Sequence, residues 1–229
     1  MTDYRGRRAV ALVSGGLDSV VSLARADIEM EIRLVLFINY GQRAIDRERN
    51  AVLGVVNFYG HPFEEVEVGW LGRLAPQGMR ATPATTQVEL ECEPVLDTLD
   101  AVWVPNRNGI FINIAAAFAE SYDCEHVVTG FNRQEGVEFP DNRQEYVSRV
   151  NGGLALSTRI GVSVVSFTQE LDKKEILRLG AELHAPLSVI WSCYHSQELM
   201  CGRCASCRRL KDAMAGVPEE VRPPLEFKN

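Results

Sequence analysis

The sequence predicts an α/β fold: an open, mostly parallel sheet with helices on both faces, followed by a small C-terminal segment built on four cysteines. Three observations predict it. Short apolar runs rich in β-branched residues alternate with stretches of helical spacing along most of the 229 residues. The first run ends in a glycine-rich turn that leads directly into a helical pattern, which is how an α/β unit begins. Cys193, Cys201, Cys204 and Cys207 crowd together near the end of the chain.

Ala9 to Val13 reads as the first strand, Ser14-Gly15-Gly16-Leu17-Asp18-Ser19 as the turn, and Ser19 to Ala26 as the first helix. Leu34 to Ile38 is a second apolar run, followed by a charged helical stretch from Arg43 to Tyr59 and an alternating strand from Phe63 to Val68. Residues 70–104 mix Pro, Gly, Thr and acids without periodicity, an irregular insertion suited to ordering around a substrate. The pattern resumes with a helix from Gly109 to Tyr122, a strand from His126 to Thr129, and a polar, loop-like stretch from Asn132 to Arg143. Tyr146 to Ser157 suits a helix, Val162 to Phe167 a strand, and Lys173 to His184 a helix with Asp172 as its N-cap. Residues 1–190 are then one α/β domain, and 191–229 the appended cysteine segment.

With 46% hydrophobic residues, the chain can bury a substantial core. A net charge of -7 argues against broad binding to a nucleic-acid backbone, which needs a surplus of Lys and Arg, and leaves room only for a small local basic patch. No apolar run approaches the roughly 20 residues that span a bilayer. The reading is a cytoplasmic protein with no membrane partner.

The strand–turn–helix at Ser14 to Ser19 has a direct physical meaning. Two glycines let the backbone approach an anion closely, Ser14 and Ser19 offer hydroxyl donors, and the helix N-terminus adds unpaired N–H groups and a positive dipole end. Phosphate is the natural guest. A carboxylate is unfavourable beside bare phosphate, so Asp18 is read as holding a Mg²⁺ ion that bridges the phosphates. The turn lacks the Lys-Ser/Thr ending of a P-loop and the third glycine of a dinucleotide fingerprint.

Cys193, Cys201, Cys204 and Cys207 follow the spacing C-x7-C-x2-C-x2-C. Four thiolates with two-residue spacers suit a tetrahedral structural Zn²⁺, and Arg203, Arg208 and Arg209 offset the negative charge of such a site. An iron–sulfur cluster uses the same ligands. Cys92 and Cys124 have no partners at metal spacing, and His61, His126, His184 and His195 stand alone, without a catalytic role.

The Ser-Gly-Gly-x-Asp-Ser turn resembles the pyrophosphate loop of the N-type ATP pyrophosphatases, a superfamily with a Rossmann-like fold of the adenine nucleotide alpha hydrolase type that splits ATP into AMP and pyrophosphate. With the cysteine tail, the chain resembles the QueC (ExsB) family of queuosine-precursor biosynthesis. Tyr40-Gly41-Gln42-Arg43, Val104-Pro105-Asn106-Arg107-Asn108, Thr129-Gly130, Phe139-Pro140-Asp141-Asn142-Arg143, the helix opening at Lys173, and Trp191-Ser192-Cys193-Tyr194 all resemble its motifs. These matches span residues 14–207.

The resemblance implies an ATP-dependent ligase that converts 7-carboxy-7-deazaguanine and ammonia to the nitrile through two adenylations. It implies that Ser14, Gly15, Gly16, Leu17, Asp18 and Ser19 hold pyrophosphate and its Mg²⁺, with Asp18, Ser19 and Lys173 catalytic. Arg107 is the candidate for a phosphate or carboxylate, Asp141 and Arg143 for the deazaguanine edge, and Phe139 for stacking on the base. The cysteines hold Zn²⁺, and the family's homodimer carries over as an expectation. The stretch Glu135 to Arg143 departs from the family's D-x-S-G-Y-P-D-C-R, with Val137-Glu138 for Ser-Gly, Phe139 for Tyr and Asn142 for Cys, and Ile190 stands where Thr is common. Those departures leave open a paralogue that adenylates a deazapurine carboxylate for another acceptor or stops at the amide. The cysteine set leaves open a tRNA sulfur transferase with an iron–sulfur cluster.

Overall fold

The computed structural model describes residues 3–80, Leu96 and 98–228. Five strands, β1 (Arg8–Leu12), β2 (Glu31–Asn39), β3 (Phe63–Glu67), β4 (His126–Val128) and β5 (Ser163–Val165), form one sheet in the order β3-β2-β1-β4-β5. All four pairings are parallel. Side chains alternate between the two faces of a strand, yet Ala9, Val10 and Ala11 of the central β1 are all fully buried, so both faces of the sheet are covered.

The covering helices are α1 (Leu17–Glu29), α2 (Ile45–Tyr59), α3 (Arg107–Ser121), α4 (Arg133–Glu138), α5 (Gln144–Ser157), α6 (Lys173–Glu182) and α7 (Ala205–Ala215). The apolar runs and helical stretches read from the sequence fall on these elements, with ends moved by a few residues. One reading changes in kind. The stretch Asn132 to Arg143, read as a loop, contains α4 and a 3-10 turn, Pro140–Asn142. Asn132 starts α4 by accepting the Glu135 N–H on its side-chain oxygen at 2.8 Å, a local cap that apolar periodicity does not reveal. Of residues 70–104, read as an irregular insertion, 81–95 and 97 lie outside the described residues, and Gly69–Gly72 and Leu99–Val102 to either side are single helical turns. Cys92 lies outside the described residues.

Two features of the sheet position the site. The chain leaves β1 towards β2 on one side, and β4 lies on the other, so the order reverses between β1 and β4. The carboxyl ends of strands at such a switch point border a crevice where ligands bind in open α/β sheets. The cysteine segment returns to this crevice: the Trp191 N–H donates to the Gly15 carbonyl at 2.9 Å, and the four cysteines share one buried cluster with β1.

Candidate active site

The turn after β1 lies in the crevice. Gly15 has φ +80°, and a Cβ there would stand 2.8 Å from the Ala51 Cβ and 2.9 Å from the Glu48 carbonyl, so α2 tolerates only glycine at that point. Gly130, at the end of β4, is under the same constraint, because its Cβ would meet the Ser19 nitrogen at 2.5 Å. The loop thus packs against α2 at Gly15, and the chain leaving β4 packs against the start of α1 at Gly130. Ser14 N–H donates to the Ser19 Oγ at 3.2 Å, and the Ser19 hydroxyl donates to the Gly16 carbonyl at 3.1 Å, which folds the loop back on itself. No side chain caps α1 at Gly16. Its first N–H groups face the crevice uncapped, the arrangement that receives an anion.

Asp18 and Lys173 meet at the same place, although 155 residues separate them. The Lys173 ammonium pairs with Asp18 and, at 2.8 Å, with Glu135 of α4. The Lys173 side chain is only 8% exposed, so its charge is largely removed from water. Burial alone would release its proton, but the two carboxylates more than reverse that, and its pKa lies above the ordinary lysine range. Burial pushes the Asp18 carboxyl up to about 6 against the pull of Lys173. Burial also raises Glu135, but the Lys173 charge outweighs it and holds Glu135 below the usual carboxylate range. Asp18 Oδ1 is buried without a hydrogen-bond partner, which is costly for a carboxylate oxygen unless a cation or donor reaches it. That orphan oxygen, beside the anion-receiving N–H groups, fits a divalent cation bridging phosphates.

The opposite wall comes from β2, α2 and α3. Arg107 opens α3, its guanidinium 5.9 Å over the Tyr40 ring and 3.5 Å from the Tyr40 hydroxyl. Gln42 is 2% exposed and fully committed: its oxygen accepts the Tyr40 N–H, and its nitrogen donates to the Ile38 carbonyl and, at 2.9 Å, to Glu48 Oε2. Burial pushes the Glu48 carboxyl up to about 7.

The structure brings Ser14, Gly16, Leu17, Asp18, Ser19, Arg107 and Lys173 to one cavity, with Gly15 shaping the loop behind them. Asp141 stands next to that lining, where burial raises its carboxyl against the charge of Arg107. Phe139 and Arg143 do not line the cavity. Phe139 is stacked on Trp103 with ring centroids 6.3 Å apart, and the Arg143 guanidinium donates to the Gly136 carbonyl at 2.7 Å, bracing α4 from outside. Glu135, Gln42, Glu48, Trp191 and Tyr194 line the cavity without a role read from the sequence. The Tyr40 to Arg43 motif signals Gln42. Glu48 carries no local signal, because it is one charged residue among many on α2.

Cys193, Cys201, Cys204 and Cys207 place their sulfurs within 4.8 Å of one another, all buried. Backbone N–H groups of His195 and Cys201 donate to the Cys193 sulfur, that of Cys204 to Cys201, and that of Cys207 to Cys204, at 3.3–3.5 Å. Such N–H···S contacts favour thiolates, the form that binds metal. The Cys201 and Cys207 sulfurs are 3.9 Å apart. Two ligands of one tetrahedral ion, with metal–sulfur bonds of about 2.3 Å, lie about 3.8 Å apart. The four cysteines fit a single metal ion.

A family model described as queuosine biosynthesis protein QueC matches residues 8–217. A 7-cyano-7-deazaguanine synthase from Carboxydothermus hydrogenoformans is 46% identical over 212 residues, covering 91% of this chain and 99% of the relative. One from Methanosarcina mazei is 38% identical over 226 residues, covering 95% and 97%. Among solved structures, the U34-tRNA thiolase NcsA from Methanococcus maripaludis with its [4Fe-4S] cluster matches with a TM-score of 0.50 at 14% identity, covering 96% of this chain and 70% of that one. At that identity the likeness shows the shared fold alone.

Proposed function

Because the chain belongs to the QueC family of queuosine biosynthesis proteins, we propose that it is an ATP-dependent carbon–nitrogen ligase that converts 7-carboxy-7-deazaguanine and ammonia to 7-cyano-7-deazaguanine. The observation that carries this reading is the cavity itself, where an uncapped helix N-terminus, an orphan Asp18 oxygen and the buried Lys173 share one wall and Arg107 stands on the other.

A carboxylate is a poor electrophile, so it must first be given a leaving group. Its oxygen attacks the α-phosphorus of ATP, pyrophosphate departs, and the acyl adenylate forms. Ammonia then attacks the acyl carbon, AMP leaves with the oxygen, and a proton is lost from nitrogen to give the amide. In a second round the amide oxygen attacks the α-phosphorus of a second ATP, pyrophosphate again departs, and loss of AMP and the two N–H protons leaves the nitrile.

In this reading Ser14, Gly15, Gly16, Leu17 and Ser19 bind the departing pyrophosphate through backbone N–H groups and hydroxyls. Asp18 would hold Mg²⁺, which would neutralise phosphate charge. Lys173 supplies positive charge where the phosphates separate, a charge more effective for being buried. Arg107 and Asp141 face the acceptor, the first suited to its carboxylate and the second to the donors of its aminopyrimidinone edge. We assign Phe139 and Arg143 to holding the acceptor loop, in line with their contacts to Trp103 and Gly136.

Residues 191–229 act in this reading as a metal-binding segment on a 1–190 ATP domain, and the metal is Zn²⁺. The close spacing of the sulfurs supports one shared ion, since a four-iron cluster ties each cysteine to a different iron and spreads the sulfurs farther apart. The protein acts as a homodimer in the cytoplasm. None of the five described cysteines is in a disulfide, in keeping with a reducing compartment, and no helix among the described residues is long and apolar enough to cross a membrane.

The test is incubation with 7-carboxy-7-deazaguanine, ammonia and Mg-ATP, with products read by mass spectrometry and nucleotides by chromatography. The expected products are the nitrile with AMP and pyrophosphate. Absence of both amide and nitrile from metal-replete protein, or formation of ADP, overturns the reading; metal analysis showing iron in place of zinc overturns the metal assignment.

A further inference from the structure

We propose that Arg209 is a positioning residue that clamps the segment 133–143 onto the acceptor side of the cleft, so that this one contact sets affinity for the acceptor and leaves the grip on ATP unchanged. This rests on the ligase reading above for what the acceptor is.

Arg209 lies on α7, the helix that Cys204 caps and that carries Cys207, two residues before Arg209. Its guanidinium does not turn back to the sulfurs. It reaches across to α4, where it pairs with Glu138, a partner 71 residues away in sequence, and lies 5.9 Å over the Phe139 ring. Phe139 is itself stacked on Trp103, with the two planes within 11° of each other. Trp103 and Arg209, from two distant parts of the chain, thus both pack on Phe139. An exposed ion pair contributes little, but the Arg209 side chain is only 14% exposed, and a planar guanidinium on an aromatic face gains from both charge and stacking.

The held loop supplies cleft residues. Glu135 and Asn142 line the cavity, Asp141 stands between them in sequence, and the Arg209 charge acts on Glu135 and Tyr194. The rest of the loop is braced locally, by Arg143 on the Gly136 carbonyl and by Gln169 on the Asn142 carbonyl at 2.8 Å. Those contacts fix its turn at one end. Arg209 ties the Glu138–Phe139 corner to α7. The phosphate loop, by contrast, is held by its own serines, Gly130 and Trp191, with no contact to Arg209 among those described.

The experiment uses the full-length, metal-loaded protein and compares Arg209→Ala and Arg209→Lys with the native chain. KM for 7-carboxy-7-deazaguanine is expected to rise about tenfold in Arg209→Ala. ATP Kd, measured by calorimetry without acceptor, should stay within about twofold, and metal content should be unchanged. Arg209→Lys keeps the charge but not the planar fork, and falls between the two. Hydrogen exchange supplies a readout independent of the acceptor: amides 133–143 should exchange faster in Arg209→Ala, while amides of the phosphate loop and α1 keep their rates. An acceptor KM within about twofold of native, an ATP Kd that rises in step with it, or unaltered exchange at 133–143 overturns the clamp. If the native protein turns over no 7-carboxy-7-deazaguanine, the ligase reading fails while the exchange comparison still decides the clamp.

Discussion

At the scale of single residues, the crevice places charged groups where burial works against them, and Glu48 gives the simplest consequence. Its carboxyl is pushed up from 4.5 to about 7 by burial, with Gln42 and Arg107 only partly offsetting it. An acid whose folded pKa is raised holds a proton that the unfolded chain has already lost. Between about pH 4.5 and 7 the native state therefore binds more protons, and stability contributed by this site falls as pH rises. Glu48→Gln keeps the shape and a hydrogen-bonding group but removes the titration. The variant should be more stable than the native protein by on the order of 1 kcal/mol at pH 8, with the gain vanishing near pH 4. Chemical denaturation at the two pH values checks this; a gain that is equal at both, or larger at pH 4, contradicts it. The serines, glycines and Asp18 of the phosphate loop were legible from residue types alone, because close anion approach permits few alternatives. Glu48 and Glu135 were not, because a carboxylate on a helix looks solvated until tertiary packing removes the water.

At the scale of elements, α6 shows how local sequence delivers a distant side chain. Asp172 accepts N–H donors from Lys174 and Glu175 at 2.9 Å, and Glu175 returns the favour by accepting the Asp172 N–H at 2.8 Å, a complete capping box. Lys173 is the first residue of that helix, so the cap fixes the origin from which its ammonium reaches Asp18. Arg133 then bridges the box to α4 through Glu175 at 2.9 Å. Asp172→Ala should cost about 1 kcal/mol, or about 2–4 °C in Tm, and Asp172→Asn much less. Activity should fall further than stability explains, because the lysine loses its anchor; a Tm drop with unchanged kcat/KM for ATP would show that the cap serves only the helix. This start was readable in the sequence from Asp172 and the apolar spacing after it. The start of α4 was not: a six-residue helix offers too few turns for periodicity, and its Asn132 cap lies inside a run of polar residues equally suited to a loop.

At the scale of the whole molecule, the sequence separates the phosphate loop from the cysteine segment by some 175 residues, and the fold joins them. Trp191 donates to Gly15, and Trp191, Ser192 and Tyr194 line the cavity, so the polypeptide reaches the cysteine cluster by way of that cavity. Cysteine spacing announces a metal site but not where that site docks, since docking depends on the strand order that puts Gly15 at the sheet's reversal. The cost of losing the metal follows from this arrangement. Four buried thiolates without their ion repel one another. Cys204→Ser should lose its metal and destabilise the protein by more than about 4 kcal/mol, in the range reserved for lost metals and disulfides. If the segment were a detached appendage, ATP affinity would survive that change. The shared wall predicts instead that stripping the metal with a chelator weakens ATP binding about tenfold or more and alters Trp191 fluorescence in parallel, both restored when the ion is returned. Chelator titration followed by fluorescence and calorimetry decides the matter: metal loss with native ATP affinity would mean that the wall formed by Trp191 to Tyr194 stands without its ion.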